Sequence, residues 1–517
     1  MSTSLKIAMG HARGLVFQDL QATRTGNTES GISMKKRSSV FLLAAFLWLA
    51  LSGACGAANL ALQERDEWAG TYFKGRKLGF THARVDLQGD EVVVHTRVFF
   101  RLKAGGAEQS TIITQETRLD RQLHLKEFSL LQEVMGNRQR VLGKLRDGRL
   151  EYEVTTTGYQ KTKSMPYPAD VMPASTVWLN MLDRGLAVGQ KGTIRLFIEP
   201  FQMIVPMHYE ILRRESILQE GRNVSAFVIE QEYAGMKSTL WVSPGGTVIK
   251  ESTLQGFESR QETEAVAQDL GHETISVSNF ITLSLVTPNR PIADPTEMEW
   301  MRFRIAPLSG PDSLPQDQRQ KILSLEPEGS GGKFRATVEI RREAALESSA
   351  EVIPVSTVPD PALLEETAEI QARNGLIRGQ ARMIVGEEKD AWRAALKINR
   401  WVHRNIQKVL VDSFTALDAL NSRRGECQSH TNLFTALARA EGIPTRVVNG
   451  LVYSRQYKGF LYHAWPEVFV GEWRALDPTF GQDAVDATHI KLSVGNYDGA
   501  IKLMEFLGQV QVELLNP

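Results

Sequence analysis

The period of the apolar residues changes along this chain of 517 residues, and that change limits its folds more than any other feature. From Trp68 to about Phe280 the sequence runs in short β-rich stretches separated by turn signals. "TYFKGRKLGFTHARVDLQGDEVVVHTRVFFRL" breaks at Lys74-Gly75 and Gly89-Asp90, "VLGKLRDGRLEYEVTTT" at Asp147-Gly148 and "LWVSPGGTVIKES" at Pro244-Gly245-Gly246. Such pairs between alternating segments are hairpin signals. After Pro361 the period becomes helical, and "EEKDAWRAALKINRWVHRNIQ" puts Trp392, Ala395, Ile398, Val402 and Ile406 on one face. Strands first and helices later imply segregated layers. The expected fold is multidomain, with a curved or partly closed antiparallel sheet in the β-rich N-terminal half and an α+β C-terminal domain.

At this length two to four domains are expected. Residues 1–58 read as an N-terminal extension and signal peptide, and 59–287 as the β-rich domain, with one short helix near Thr176 to Asp183. Residues 288–360 read as a small β insert with linkers, because "MRFRIAPL" and "FRATVEI" stand among Pro-, Gly- and Ser-rich stretches such as "EPEGSGGKF". Residues 361–517 form the C-terminal domain. Lys plus Arg and Asp plus Glu both number 60, a balance that argues against a nucleic-acid partner, which requires basic excess.

The stretch "MKKRSSVFLLAAFLWLALSGACGAANLA" starts at Met34 with Lys35, Lys36 and Arg37, then an apolar run from Val40 to Leu51, then small residues. That order is a secretory signal peptide, with cleavage expected near Ala58 and export to the periplasm or cell envelope. The run falls short of the roughly 20 residues of a spanning helix. Membrane attachment through an uncleaved N-terminal segment is the alternative. "LSGAC" resembles a lipobox, with Leu51 one position too far upstream of Cys55, so a lipoprotein is the lesser reading. Either way the exported chain keeps Cys427 as its lone thiol and has no intramolecular disulfide.

Cys427 lies in "GECQSHTNLFTALARAEGIPTRVV", where Gly425 permits a tight turn into a helix starting near the Cys. Leu433, Phe434, Leu437 and Ala438 give that helix an apolar face, and Gly442-Ile443-Pro444 ends it. A thiol in the first turn meets unpaired N–H groups and the positive end of the helix dipole, which favour thiolate. Downstream, "YHAWPEVFV" and "EWRALDPTF" read as a hairpin turning at Gly471-Glu472, with His463 and Asp477 on its two strands. An imidazole can take the thiol proton, and a carboxylate can fix its tautomer. A strict two-residue turn would put His463 and Asp477 on opposite faces, because side chains alternate with period two. The hairpin is therefore expected to carry a bulge near Pro466 or a three-residue loop at Gly471. His430, one helical turn after Cys427, is the rival base. No second pair of zinc ligands accompanies Cys427 and His430, and no metal or other cofactor is expected. His489 is expected to brace the site from the next strand, and Tyr462 and Trp465 to wall the cleft. Asp483 and Asp486 lack the ligand run of a calcium loop.

"GECQSHTNLFTALARAEGIPTRVV", "HAWPEV" and "WRALDPT" together resemble the core of the transglutaminase-like superfamily, particularly its exported bacterial members, over about residues 361–492. The resemblance implies a papain-like arrangement, with Cys427 as nucleophile, His463 as base and Asp477 as the orienting acid. It implies acyl transfer through a thioester: γ-glutamyl transfer to an amine, or hydrolysis of a peptide or protein amide. Gln428 stands where the cross-linking animal enzymes carry a Trp. Their upstream Trp has no clear match, although Trp392 and Trp401 are near in sequence. Hydrolysis is accordingly favoured slightly over cross-linking. The alternatives from other classes are a non-catalytic envelope scaffold or substrate-binding protein that keeps the fold, and a lipid-handling module.

Overall fold

The computed structural model describes residues 62–515 apart from 105–106, 135–136, 220, 272–274, 277–284, 330–331 and 410–414. The expected signal peptide, with its apolar run and Cys55, lies outside the described residues. Among the described residues no helix is long and apolar enough to cross a membrane.

Antiparallel hairpins carry most of a 16-stranded sheet between Arg65 and Ser276, with Val171–Pro173 paired in parallel to Lys191–Ile198 and Ile275–Ser276 in parallel to Glu91–Ala104. Two-residue turns close several of them. Phe73 pairs with Arg76 around Lys74 (φ 47) and Gly75 (φ 79), and Arg146 with Arg149 around Asp147 (φ 48) and Gly148 (φ 71). These left-handed pairs match the twist of the flanking strands. Arg65–Phe73 pairs with both Arg76–Gln88 and Phe257–Glu262, which brings the two arms of the run together. Tyr159–Pro166 and Val171–Pro173 are the two ends of the strand order. Helix Val177–Asp183 buries Val177, Trp178, Met181 and Leu182 in the core shared by the sheet. Each large apolar side chain so buried contributes roughly 1.5–3 kcal/mol.

The stretch after Pro288 is more than linkers with two strands. Trp300–Leu308, Gln320–Glu328 and Lys333–Arg341 join Gln511–Leu514 in a second sheet. Its Phe303 and Val338 share a core with Phe460, Tyr462 and Leu507 of the C-terminal region. The alternating apolar residues of this insert thus cover the back of the next sheet.

The C-terminal region packs helices α1 (Gly375–Val385), α2 (Ala391–Asn405), α3 (Ala416–Ser422) and α4 (Cys427–Ala440) with strands β1 (Thr445–Ser454), β2 (Gly459–Phe469), β3 (Trp473–Ala475) and β4 (Ile490–Val494). Each helix starts at a capping side chain: Asn374, Asp390, Thr415 and Glu426 accept backbone N–H groups of their first turns. α2 buries Trp392, Ala395, Ile398 and Val402, the stripe read from the sequence. The sheet order is β3-β2-β1-β4. β3 is short, and this shortness positions the site.

Candidate active site

Arg423, at φ 55, makes the left-handed turn between α3 and α4. Gly425, given that role in the sequence reading, is needed for space: a Cβ there would lie 2.3 Å from the Cβ of Ser429. Glu426 then caps α4, its carboxylate accepting Gln428 N–H at 2.9 Å and Ser429 N–H at 3.1 Å. The same carboxylate accepts the Cys427 S–H, at 3.1 Å. This overturns the expectation of a resting thiolate. Burial at 7% exposure pushes the Cys427 thiol well up, and the Glu426 charge and hydrogen bond push it further. Asp477 adds to the rise, while the Ala464 N–H, which faces the sulfur, pulls the other way. The dipole argument failed because a carboxylate already occupies the positive end of the helix.

In the hairpin, Phe469 pairs with Trp473, Val468 with Arg474 and Glu467 with Ala475, leaving a three-residue loop of Val470, Gly471 (φ 91) and Glu472. Pro466 sits in regular register opposite Val447, without a bulge. The odd loop puts Asp477 on the His463 face. His463 Nε2 donates to Asp477 Oδ2 at 2.8 Å, and both side chains are buried. Because Asp477 accepts at Nε2, a neutral His463 keeps Nδ1 free of hydrogen. The other carboxylate oxygen accepts Thr479 N–H at 2.7 Å and Phe480 N–H at 3.0 Å, which fixes the acid in its turn. Burial pushes the Asp477 carboxyl up, but the charge and hydrogen bond of His463, with the bond from His489, hold it well below the usual range.

The last bond joining β3 to β2 runs from Leu476 N–H to Pro466 C=O. Beyond it the edge of β2 is taken by α4: Ala464 C=O accepts the Thr431 hydroxyl at 3.0 Å, and Ala464 N–H faces the Cys427 sulfur. The thiol therefore lies against the residue next to His463. Phe480 stacks on His463 at 4.8 Å, and Lys408 sits 5.7 Å over the Phe480 ring. Trp465 lies on the same strand face, 6.1 Å from His463. Tyr462 does not wall this side. It points into the core behind the sheet, with its hydroxyl donating to Phe506 C=O at 2.5 Å.

His489, just before β4, donates from Nε2 to the same Asp477 oxygen at 3.2 Å and from Nδ1 to Asp486 Oδ1 at 3.1 Å. Burial pulls His489 down, but the Asp486 charge and the hydrogen bonds to Asp477 and Asp486 raise it overall. A carboxylate at each ring nitrogen favours the imidazolium. Asp486 is held by the Thr488 N–H at 2.9 Å and hydroxyl at 2.6 Å, and Asp483 pairs with Arg400 at 2.7 Å, so neither is set as a calcium ligand. Arg319, from the insert, donates to Asp486 C=O at 2.9 Å and His489 C=O at 3.3 Å. Among the described residues, ligand atoms of His463, Asp477 and His489 lie within 4.8 Å of one another, close enough to hold a metal by proximity. The two imidazole Nε2 atoms are engaged by Asp477. His430, the rival base, turns Nδ1 to Glu426 C=O at 2.7 Å and Nε2 to Ile406 C=O at 3.3 Å, so it fastens α4 to the end of α2. Trp392 is a core residue bonded to Leu346 C=O, and Trp401 lies under Arg423. Sequence reasoning missed Glu426 and Arg319. An acidic residue directly before a helix is a readable cap. Nothing local in the sequence links Arg319 to residues about 170 positions away.

Residues 378–478 match the family model of the transglutaminase-like superfamily, a span that contains Cys427, His463 and Asp477 and stops short of His489. An uncharacterized protein of Mycobacterium leprae (strain TN), ML0607, is 34% identical over 88 residues, 16% of this chain. The chain spans 30% of the length of that relative. Among solved structures, a candidate cysteine protease of Cytophaga hutchinsonii is similar at a TM-score of 0.30 and 19% identity, over 43% of this chain and 87% of that one. A β-barrel-like protein from Brucella abortus, of a domain of unknown function, is similar at a TM-score of 0.31 and 12% identity, over 38% of this chain and 94% of that one. The similarity to the superfamily thus concerns a C-terminal segment, and the large β-sheet region precedes it.

Proposed function

We propose that the C-terminal region is a cysteine acyl-transferase or hydrolase that acts on a peptide or protein amide through a thioester, in a protein exported to the cell envelope. The observation that carries this reading is the buried His463–Asp477 pair at 2.8 Å beside the first turn of the Cys427 helix. The Cys427 proton passes to His463 Nδ1, and the sulfur attacks the amide carbon. The carbonyl oxygen takes the negative charge, and the N–H of Cys427, which a first-turn residue leaves without an intrahelical partner, stabilises it. Collapse breaks the C–N bond, and His463 returns its proton to the leaving amine. Water, or an acceptor amine, then gives a proton to His463 and displaces the sulfur. Asp477 holds the imidazole in the useful tautomer and stabilises its cation. Hydrolysis is favoured over transfer, since no acceptor site is identified.

The raised, Glu426-bound thiol supports a second reading, a non-catalytic scaffold that retains the fold. Acylation by p-nitrophenyl acetate, mapped by peptide mass spectrometry, separates the two. Acetyl on Cys427 is expected in the native chain and not in Cys427→Ala, with the rate lowered on the order of 100-fold or more by His463→Ala. Acylation at an equal rate in His463→Ala would favour the scaffold.

A further inference from the structure

The cap of α4 joins two functions that sequence reasoning treats separately. Glu426 is 5% exposed, and its carboxylate accepts two backbone N–H groups, the Ser429 hydroxyl at 3.3 Å and the Cys427 S–H. A capping carboxylate normally serves the helix alone. Here it also lies 3.1 Å from the sulfur of the candidate nucleophile, a buried residue.

On the reading proposed above, we infer that Glu426 is a positioning residue that keeps Cys427 as a hydrogen-bonded resting thiol, so that the nucleophile forms only when the sulfur passes its proton to His463. A thiolate at this position would face a carboxylate in place of open N–H groups, and two negative charges so close in a buried site repel strongly. The other groups around the sulfur show where relief must come from. Asp477 is a second negative charge, Ala464 offers one N–H, and His430 is engaged by two carbonyls. Burial lowers His430, and the Lys408 charge, near Phe480, lowers it further. His489 is engaged by Asp477 and Asp486, which leaves His463, once protonated, as the cation to offset the thiolate. In the step itself the S–H···Oε2 hydrogen bond breaks and the proton moves to His463 Nδ1. Sulfur keeps the electron pair, and Glu426 remains a carboxylate on its two backbone donors. Nucleophile formation is thus coupled to the imidazole and not to the helix dipole. The consequence for an exported chain with a lone thiol is chemical protection, because oxidation and alkylation follow the thiolate.

The test is the pH dependence of iodoacetamide alkylation of Cys427 in the full chain. Glu426→Asn keeps a neutral cap and removes the charge. It should move the labelling midpoint down by about one pH unit, close to a tenfold gain in labelling at neutral pH. Glu426→Gln should move it the same way. Each variant is measured beside its thermal unfolding midpoint, so that a folded sample is compared with a folded sample. An unchanged or raised midpoint in either folded variant overturns the inference. Adding His463→Ala to Glu426→Asn should bring the midpoint back up. A flat response to that second change would defeat the catalytic reading while leaving the Glu426 shift intact.

Discussion

In the N-terminal sheet the inward residues of strand Leu125–Val134 include Leu125, Phe128, Leu130 and Val134, whereas one face of β2 carries His463, Trp465 and Glu467, buried as deeply. The other face of β2 is apolar through Phe460, Tyr462 and Val468. The first sheet turns a largely apolar face to its core, with a few buried polar residues such as Gln132 among them. The second is covered on both sides, since the insert lies over part of it and helices over the rest, and its polar face survives burial through pairing. Lys491, 1% exposed, meets Asp317 and, at 2.5 Å, Glu467, which also pairs with Arg446 at 2.6 Å. Asp477, His489 and Asp486 continue the row. Burying a charge is costly unless it is paired and hydrogen-bonded. A contiguous paired face therefore marks a surface where apolar packing is not the sole requirement, and the candidate nucleophile lies at its edge.

The contrast breaks most sharply at Lys491. Lys491→Met leaves Asp317 without its cation and removes one of two from Glu467. It should cost about 3–5 kcal/mol in urea unfolding, at least as much as Leu130→Ala in the N-terminal sheet. A loss below 1 kcal/mol would mean the charged face is an ordinary solvated one. His489→Gln sharpens the same point through pH. The raised His489 contributes stability that is fully present below its unfolded value of about 6.5 and is lost as pH rises through its folded pKa. The native chain should exceed the variant by about 1–3 kcal/mol near pH 6, with the gap narrowing at alkaline pH; a gap that widens with pH would contradict the cationic assignment. Two glycines then compare crowding with backbone strain. Gly425→Ala drives a Cβ into Ser429 beneath the nucleophile and should cost roughly 1–3 kcal/mol. Gly148→Ala meets no neighbour within 4 Å but must hold φ 71, for about 1 kcal/mol. Thermal unfolding of both checks the order.

The N-terminal turns were legible because Lys74-Gly75 and Asp147-Gly148 signal locally. The stripe of α2 was legible from its period. At the candidate site, the odd loop followed from counting between His463 and Asp477, a constraint carried by period two. What was hidden depended on distant or competing partners. Ala234 takes a left-handed turn position (φ 48) with no sequence mark beyond Gly235 after it. Arg319 reaches β4 across the fold. The run "FLYHAWPEVFV" is buried on both faces, so its alternation says nothing about which side Tyr462 takes. The thiol's state was misread because the dipole argument omitted the adjacent carboxylate.

If the buried polar face serves chemistry at Cys427 through Asp477, the substitution Asp477→Asn should abolish most of it. Acylation of Cys427 by an activated ester and the thermal unfolding midpoint are measured on the same sample. The rate should fall by on the order of 10³–10⁴ in protein that remains folded, because His463 loses the acceptor that sets its tautomer. A folded Asp477→Asn chain that acylates at the native rate would contradict that role of Asp477.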